Sequence, residues 1–136
     1  LAEAASLATS TALTDELVSH GELMSTLLFV EILRERNVHA QWFDVRKVMR
    51  TSDRFGRAEP DVEMLAELTQ QQLAPRLAEG MVITQGFIGS EAKGRTTTLG
   101  RGGSDYTAAL LWISGLTCRV FTPPTRAWSL RRNALM

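Results

Sequence analysis

Apolar and polar positions fall in blocks that read, in order, as helix, strand, helix, strand, loop, glycine turn and helix. Leu1 to Ser10 is alanine-rich and reads as the last turns of a helix begun earlier. Thr14-Asp15-Glu16 then looks like a fresh helix start, a hydroxyl cap with acids in the first turn. Leu17, Met24, Leu27, Leu28, Phe29, Val30, Ile32 and Leu33 carry this helix toward Arg34-Glu35-Arg36-Asn37. There cations meet the negative helix end and Asn37 suits a left-handed cap. The middle is apolar on nearly every side, which predicts burial. Gly21 lies inside it at a cost of roughly 1 kcal/mol against alanine, so a backbone or ligand passing close is expected.

Val38 to Val45 is β-branched and aromatic and reads as a strand, which Asp44 to Arg50 continues or turns into a short extended segment. Thr51 to Glu59 is a polar loop whose cations either meet phosphate or are simply solvated. Glu59-Pro60-Asp61 opens a second helix, with Leu65, Leu68, Leu73 and Leu77 at near-helical spacing. Pro75 predicts a kink or an early end, and Gly80 closes the element. Met81 to Thr84 has the pattern of a buried parallel strand, followed by a loop from Gln85 to Ser90. Glu91 to Thr98 reads as an exposed hairpin.

Beyond it stands Thr97-Thr98-Leu99-Gly100-Arg101-Gly102-Gly103-Ser104-Asp105, feeding the apolar run Tyr106 to Leu111. Ser104 or Asp105 is the expected cap of the helix behind. Bare amides at a helix start suit an anion, although no Walker-type or dinucleotide spacing is present and a plain tight turn fits equally well. The alternation predicts an α/β layered sheet whose ligands bind beyond the strand carboxyl ends, where Gln85 to Ser90 and Gly100 to Asp105 converge. Glu22, at the approach to an apolar section, is either solvated or a carboxylate held at a pocket mouth for an ammonium or cation.

Composition narrows this picture. A chain of 136 residues, 44% hydrophobic, suits one domain. Fifteen basic and fifteen acidic residues cancel, which argues against a basic nucleic-acid surface. The longest purely apolar run, Leu27 to Val30, is far too short to span a bilayer. The opening Leu-Ala-Glu-Ala-Ala-Ser lacks a signal-peptide pattern, so the default location is cytoplasmic, and a first residue other than methionine points to missing upstream sequence. The single Cys118 excludes an internal disulfide and multi-cysteine zinc. His20 neighbours Ser19 in sequence, and adjacent helix positions do not face each other, so neither His20 nor His39 is read as catalytic.

Three ordered motifs, Ser19-His20-Gly21-Glu22, Gln85-Gly86-Phe87-Ile88-Gly89 and Thr97 to Tyr106, together resemble the aspartate kinases of the amino acid kinase family. The segment from Phe43 to Asp61 is most similar to the lysine-sensitive bacterial type. The resemblance runs from about Leu1 to Leu111 and implies a partial three-layer α/β/α sandwich with a mainly parallel sheet. It further implies transfer of the ATP γ-phosphoryl group, with Mg2+, to the β-carboxylate of L-aspartate. Glu22 then binds the aspartate amino group and Arg101 grips its carboxylate, a charge match that guanidinium geometry favours. Phe87, Gly102, Gly103 and Ser104 line the pocket, and Asp105 organises the catalytic centre and its magnesium. Members of the family are typically homo-oligomers, with no nucleic-acid or membrane partner.

Two departures qualify the resemblance. Nothing here matches the family's N-terminal lysine motif, and no regulatory ACT domain is present. Residues 112–136 are expected to be a non-homologous, frameshifted tail, because out-of-frame codons of the family's next segment give Val120 to Arg126. Trp112, Trp128, Arg131 and Arg132 would then carry no evolved role, against a rival reading as a nucleic-acid patch. The expectation is therefore a catalytic-domain piece of an aspartate kinase, inactive in isolation. The alternative is a non-enzymatic remnant with at most weak aspartate or anion binding.

Overall fold

The computed structural model describes residues 2–115; Cys118, Trp128, Arg131 and Arg132 lie outside them. Its first element, α1 (Ala2–Glu35), is one uninterrupted helix rather than two. Thr14 does not cap a new start, because its hydroxyl donates back to the Ser10 carbonyl at 2.9 Å within the helix. At the far end the expected cap is found. Asn37 has φ 59°, with its own N–H on the Arg34 carbonyl and that of Val38 on Leu33.

The burial predicted for α1 does not hold. Leu17 is 75% exposed and Met24 66%, whereas the stripe Asp15, Ser19 and Val30 is at most 2% exposed. A single face is therefore covered by the described residues, and an apolar sequence on the other faces changes nothing about that. Gly21 is likewise open, since a Cβ there would meet no atom within 4 Å.

Strand β1 (Ala40–Phe43) pairs in parallel with β2 (Met81–Thr84), Ala40 opposite Met81 and Phe43 opposite Thr84. The parallel pairing is as expected, although β2 is only half-buried. After β1 the chain does not stay extended. Asp44 accepts from the Arg46 N–H and starts a tight 3-10 turn at Val45–Lys47. Two helices make the crossover: α2 (Val62–Leu68), capped by the Asp61 carboxylate on the Met64 N–H, and α3 (Ala74–Glu79). Between them Thr69–Leu73 widens into a π-turn whose closing N–H, from Ala74, reaches Thr69. The ladder thus slips one residue just before Pro75, which has no N–H to give, and the predicted kink takes this form. The Thr69 hydroxyl is buried there without a partner among the described residues.

The segment from Gln85 onward is more ordered than a loop. β3 (Ile88–Ser90) pairs antiparallel with β4 (Thr96–Thr98) around a turn at Glu91 to Arg95. The hairpin is present, but only its turn, Ala92 to Arg95, is exposed, because Thr96, Thr97 and Thr98 are all buried. Their hydroxyls are spoken for by Arg46, Thr51 and Asp15 respectively, so burial leaves none unpaired. A parallel bridge between Arg50 and Ser90 joins the hairpin to the rest. Below these strands Phe43, Val45, Val48, Met49, Leu65, Ile88, Leu99 and Leu110 form the core. The last described element, α4 (Gly103–Ile113), begins at Gly102, a left-handed cap with φ 76°. Ser104 and Asp105 therefore sit in its first turn and do not cap it. Among the described residues no helix is long and apolar enough to cross a membrane.

Candidate functional site

The two segments expected to converge do so with little room to spare. A Cβ on Gly86 would lie 2.8 Å from Ser104 Cα, and one on Gly103 would lie 2.8 Å from Phe87 Cδ2. Glycine at 86 and at 103 is what allows the loop after β2 to rest on the first turn of α4. Two polar bonds lock the contact. The Phe87 N–H donates to Thr107 Oγ1 at 3.1 Å, and the Leu99 N–H donates to the Phe87 carbonyl at 2.9 Å. Thr107 is itself buried and donates to the Gly103 carbonyl at 2.7 Å.

Phe87 has φ 69°, and the Ile88 N–H reaches the Gly86 carbonyl at 2.8 Å across it. This is a γ-turn of the rare, strained hand, carried by a bulky residue rather than glycine. Such a conformation costs on the order of 1–3 kcal/mol and persists where the surroundings over-determine it. Thr107, Leu99 and Gly103 do that here, and the aromatic ring is thereby fixed against the start of α4. Sequence reading picked out Phe87 as a wall residue but gave no sign of the turn.

The glycine turn presents its charged groups outward. Arg101, Ser104 and Asp105 are exposed, and neither charged side chain makes a hydrogen bond or ion pair with the described residues. Gly103 and Tyr106 give their N–H groups to the Gly100 and Gly102 carbonyls. The amides of Ser104 and Asp105 lie in the first turn, where the helix itself supplies no acceptor. One guanidinium, one carboxylate, one hydroxyl and two bare amides thus share a single turn.

Glu22 lies on a stripe of α1 that is tied to both segments. At 3.6 residues per turn Asp15, Glu22 and Thr26 fall within roughly 40° of arc, one stripe of the helix. The residues to either side of Glu22 in that stripe are anchored. Asp15 accepts from the N–H groups of Gly56 and Thr98, each at 2.8 Å, and from the Thr98 hydroxyl at 2.9 Å. Thr26 Oγ1 accepts from Trp42 Nε1 at 3.0 Å and from Gln85 Nε2 at 2.8 Å, and donates to the Glu22 carbonyl at 2.9 Å. Gln85, buried, also accepts from the Val45 N–H at 3.0 Å. The helix is therefore pinned on one side to Thr98, which leads into the glycine turn, and on the other to Gln85, which leads into Gly86 and Phe87. Glu22 lies between. It is half-buried with no partner for its carboxylate among the described residues, and burial pushes its pKa above the ordinary glutamate value.

From sequence, Asp15 reads only as an acid at a helix start, Thr26 not at all, Gln85 only as part of a loop and motif, and Thr107 only as part of an apolar run. A polar residue in an apolar helix was the only available hint for the first two, and their partners lie at sequence distances from 16 to 83 residues. His20 turns its Nδ1 onto the Glu16 carbonyl at 2.7 Å and takes no part in the site. Among the described residues no three His, Cys, Asp or Glu side chains gather in a way that could hold a metal ion.

A helix on a parallel strand pair, with a glycine turn opening the next helix, is an α/β arrangement that leaves bare helix-start amides able to accept an anion. Residues 2–111 match the amino acid kinase family, and the chain belongs to that family. It is 86% identical over 111 residues to the lysine-sensitive aspartokinase 3 of Escherichia coli K12, an alignment covering 82% of this chain and 25% of that protein. The crystal structure of E. coli aspartokinase III in complex with aspartate and ADP is similar with a TM-score of 0.76 and 84% identity, over 83% of this chain and 25% of that one. Clostridium acetobutylicum aspartate kinase shares the fold, with a TM-score of 0.56 over 71% of this chain and 20% of that one. The chain spans about a quarter of the length of the E. coli relative.

Proposed function

We propose that this chain is the aspartate-holding part of an aspartokinase catalytic domain, in which Glu22 takes the amino group and Arg101 a carboxylate of L-aspartate. The observation that carries the reading is the close packing of Gly86 and Phe87 on Gly103 and Ser104, beside the stripe of α1 that bears Glu22. The E. coli relative's structure contains aspartate and ADP, which supports the same ligand class here. In this reading the unpaired Glu22 carboxylate takes the substrate ammonium, and the Arg101 guanidinium takes a carboxylate in its planar fork. Phe87 walls the pocket, while Gly102, Gly103 and Ser104 line the acceptor end with main-chain atoms. Each charged group then finds the partner that it lacks among the described residues.

ATP with Mg2+ supplies the phosphoryl group when bound. The donor set fits an ion held largely by phosphate oxygens, since Asp105 offers one carboxylate and Ser104 one hydroxyl, and Mg2+ accepts such sparse protein ligation. Asp105 would hold that ion, and the first-turn amides of α4 would offer donors to the phosphate charge. Phosphoryl transfer also needs cationic neutralisation of the moving group. The chain's two lysines, Lys47 and Lys93, sit in the 3-10 turn and the hairpin turn rather than within the glycine turn. The 136-residue chain is therefore assigned binding without turnover. NMR titration with L-aspartate should shift the amide signals of Phe87 and Gly102 to Asp105, and a hydroxamate assay with ATP and magnesium should detect no aspartyl phosphate. Absence of any shift at millimolar aspartate refutes the binding assignment; robust hydroxamate formation refutes the lack of turnover.

A further inference from the structure

We propose that Asp15 is a positioning residue that sets the spacing between Glu22 and Arg101, and so makes the site selective for a ligand carrying both an ammonium and a carboxylate. The inference rests on the aspartate reading above. Asp15 is 2% exposed, yet it has no cationic partner among the described residues. Its carboxylate is satisfied by three neutral donors instead, the Gly56 and Thr98 N–H groups and the Thr98 hydroxyl. A buried carboxylate is a costly way to attach a helix, and an apolar residue would do that alone, as Val30 does two turns beyond Leu23. What the carboxylate adds is registration, because three directed bonds, two from Thr98 of β4 and one from Gly56, fix one point of α1 against both segments.

From that point both site residues are reached over short, stiff paths. Glu22 lies seven residues along α1, about 10.5 Å at 1.5 Å per residue. Arg101 lies three residues beyond Thr98, through Leu99 and the left-handed Gly100 at φ 77°. The second anchor supports the same turn from beneath. A Cβ on Gly100 would lie 3.2 Å from the carbonyl oxygen of Gly56, and the Ala58 N–H closes back on the Thr98 carbonyl at 2.8 Å. Asp15, Gly56, Ala58 and Thr98 thus form one closed unit on which the glycine turn rests.

The test uses the full 136-residue chain, titrated with L-aspartate and with succinate, which keeps both carboxylates and lacks the ammonium. Asp15→Ala should weaken aspartate binding by about tenfold or more, as expected for a misplacement near 1 Å, while changing succinate binding by no more than about threefold. The ratio of the two affinities is the readout, because general loosening of the fold lowers both alike. Asp15→Asn should restore the ratio, since its amide oxygen accepts both N–H groups and the Thr98 hydroxyl can turn to accept from the amide nitrogen. Should Asp15→Ala fail to fold, Thr98→Val, which removes only the hydroxyl, should lower the ratio in the same direction. A folded Asp15→Ala or Thr98→Val chain with the wild-type ratio overturns the positioning role alone. A wild-type chain that binds neither ligand overturns the aspartate reading and this inference together.

Discussion

Replacing Gly86 by alanine isolates the contact on which the candidate site depends. The added methyl would sit 2.8 Å from Ser104 Cα, 3.0 Å from its Cβ and 3.1 Å from its Oγ. Carbon pairs rest at about 3.5–4.0 Å, so the two segments must part by roughly 0.7 Å. Rotation of Ser104 cannot relieve the first of these distances, which is to backbone. Overpacking of this kind costs about 1–3 kcal/mol, against about 0.4–1 kcal/mol returned by stiffening the unfolded chain. The net expectation is a loss of about 1–2 kcal/mol, a factor of roughly 5 to 30 in the folded-to-unfolded ratio. Gly21→Ala is the matched control, with nothing within 4 Å to obstruct it and a helical backbone that prefers alanine by about 0.5–1 kcal/mol. Urea unfolding followed by far-UV circular dichroism should move the two midpoints in opposite directions at unchanged slope. The Gly86 variant should also bind aspartate more weakly, because the shift opens the wall formed by Phe87. A Gly86→Ala chain as stable as wild type would refute the packing argument, whatever Gly21→Ala does.

Other expectations follow from the charged groups. Arg101→Ala should abolish aspartate binding while altering stability by less than about 0.5 kcal/mol, because the side chain is exposed and makes no bond within the described residues; calorimetry and denaturant midpoints check the two halves. Burial raises the Glu22 pKa above 4.5, so the folded state holds its proton longer than the unfolded one. Compared with Glu22→Gln, wild-type stability should then fall as pH rises through the interval just above 4.5, and aspartate affinity should be lost as pH drops through that same interval. Glu91 behaves with the opposite sign: hydrogen bonds from the Arg95 backbone outweigh the effect of burial, and with further bonds from the Arg95 side chain and Lys93 lower its pKa from 4.5 to about 2. Its contribution should be complete above 4.5 and vanish as pH falls toward 2, a dependence that Glu91→Gln should remove from an acid titration followed by circular dichroism.

Much of the site was legible in the sequence because its parts are local. Gly100 to Asp105 is a contiguous turn, and Gln85 to Ile88 follows a strand that its own apolar run announces. Asn37 ends α1 through its own left-handed backbone, and the break before Pro75 follows from a missing N–H. Where the reading failed, the deciding partner was remote. Thr14 has the chemistry of a cap and is none, since α1 simply continues through it. The threonines of β4 look solvent-facing in sequence and are buried, because Arg46, Thr51 and Asp15 reach them from three other segments. The apolar sides of α1 look like core and are exposed, since periodicity tells which faces are apolar but not how many are covered.

By itself, then, the order of residues determined the α/β alternation, the parallel run at Met81 to Thr84, the glycine turn and the charge types offered at it. Backbone preference and hydrophobic period act over a few residues, and those features need nothing more. Only the tertiary structure decided that Gly86 lies against Ser104, that Phe87 is held in a strained turn by Thr107, and that Asp15 ties the middle of α1 to Thr98. Each of these joins groups 18 to 83 positions apart. Such contacts exist only once chain closure has been compensated by packing elsewhere, and no local pattern records that balance.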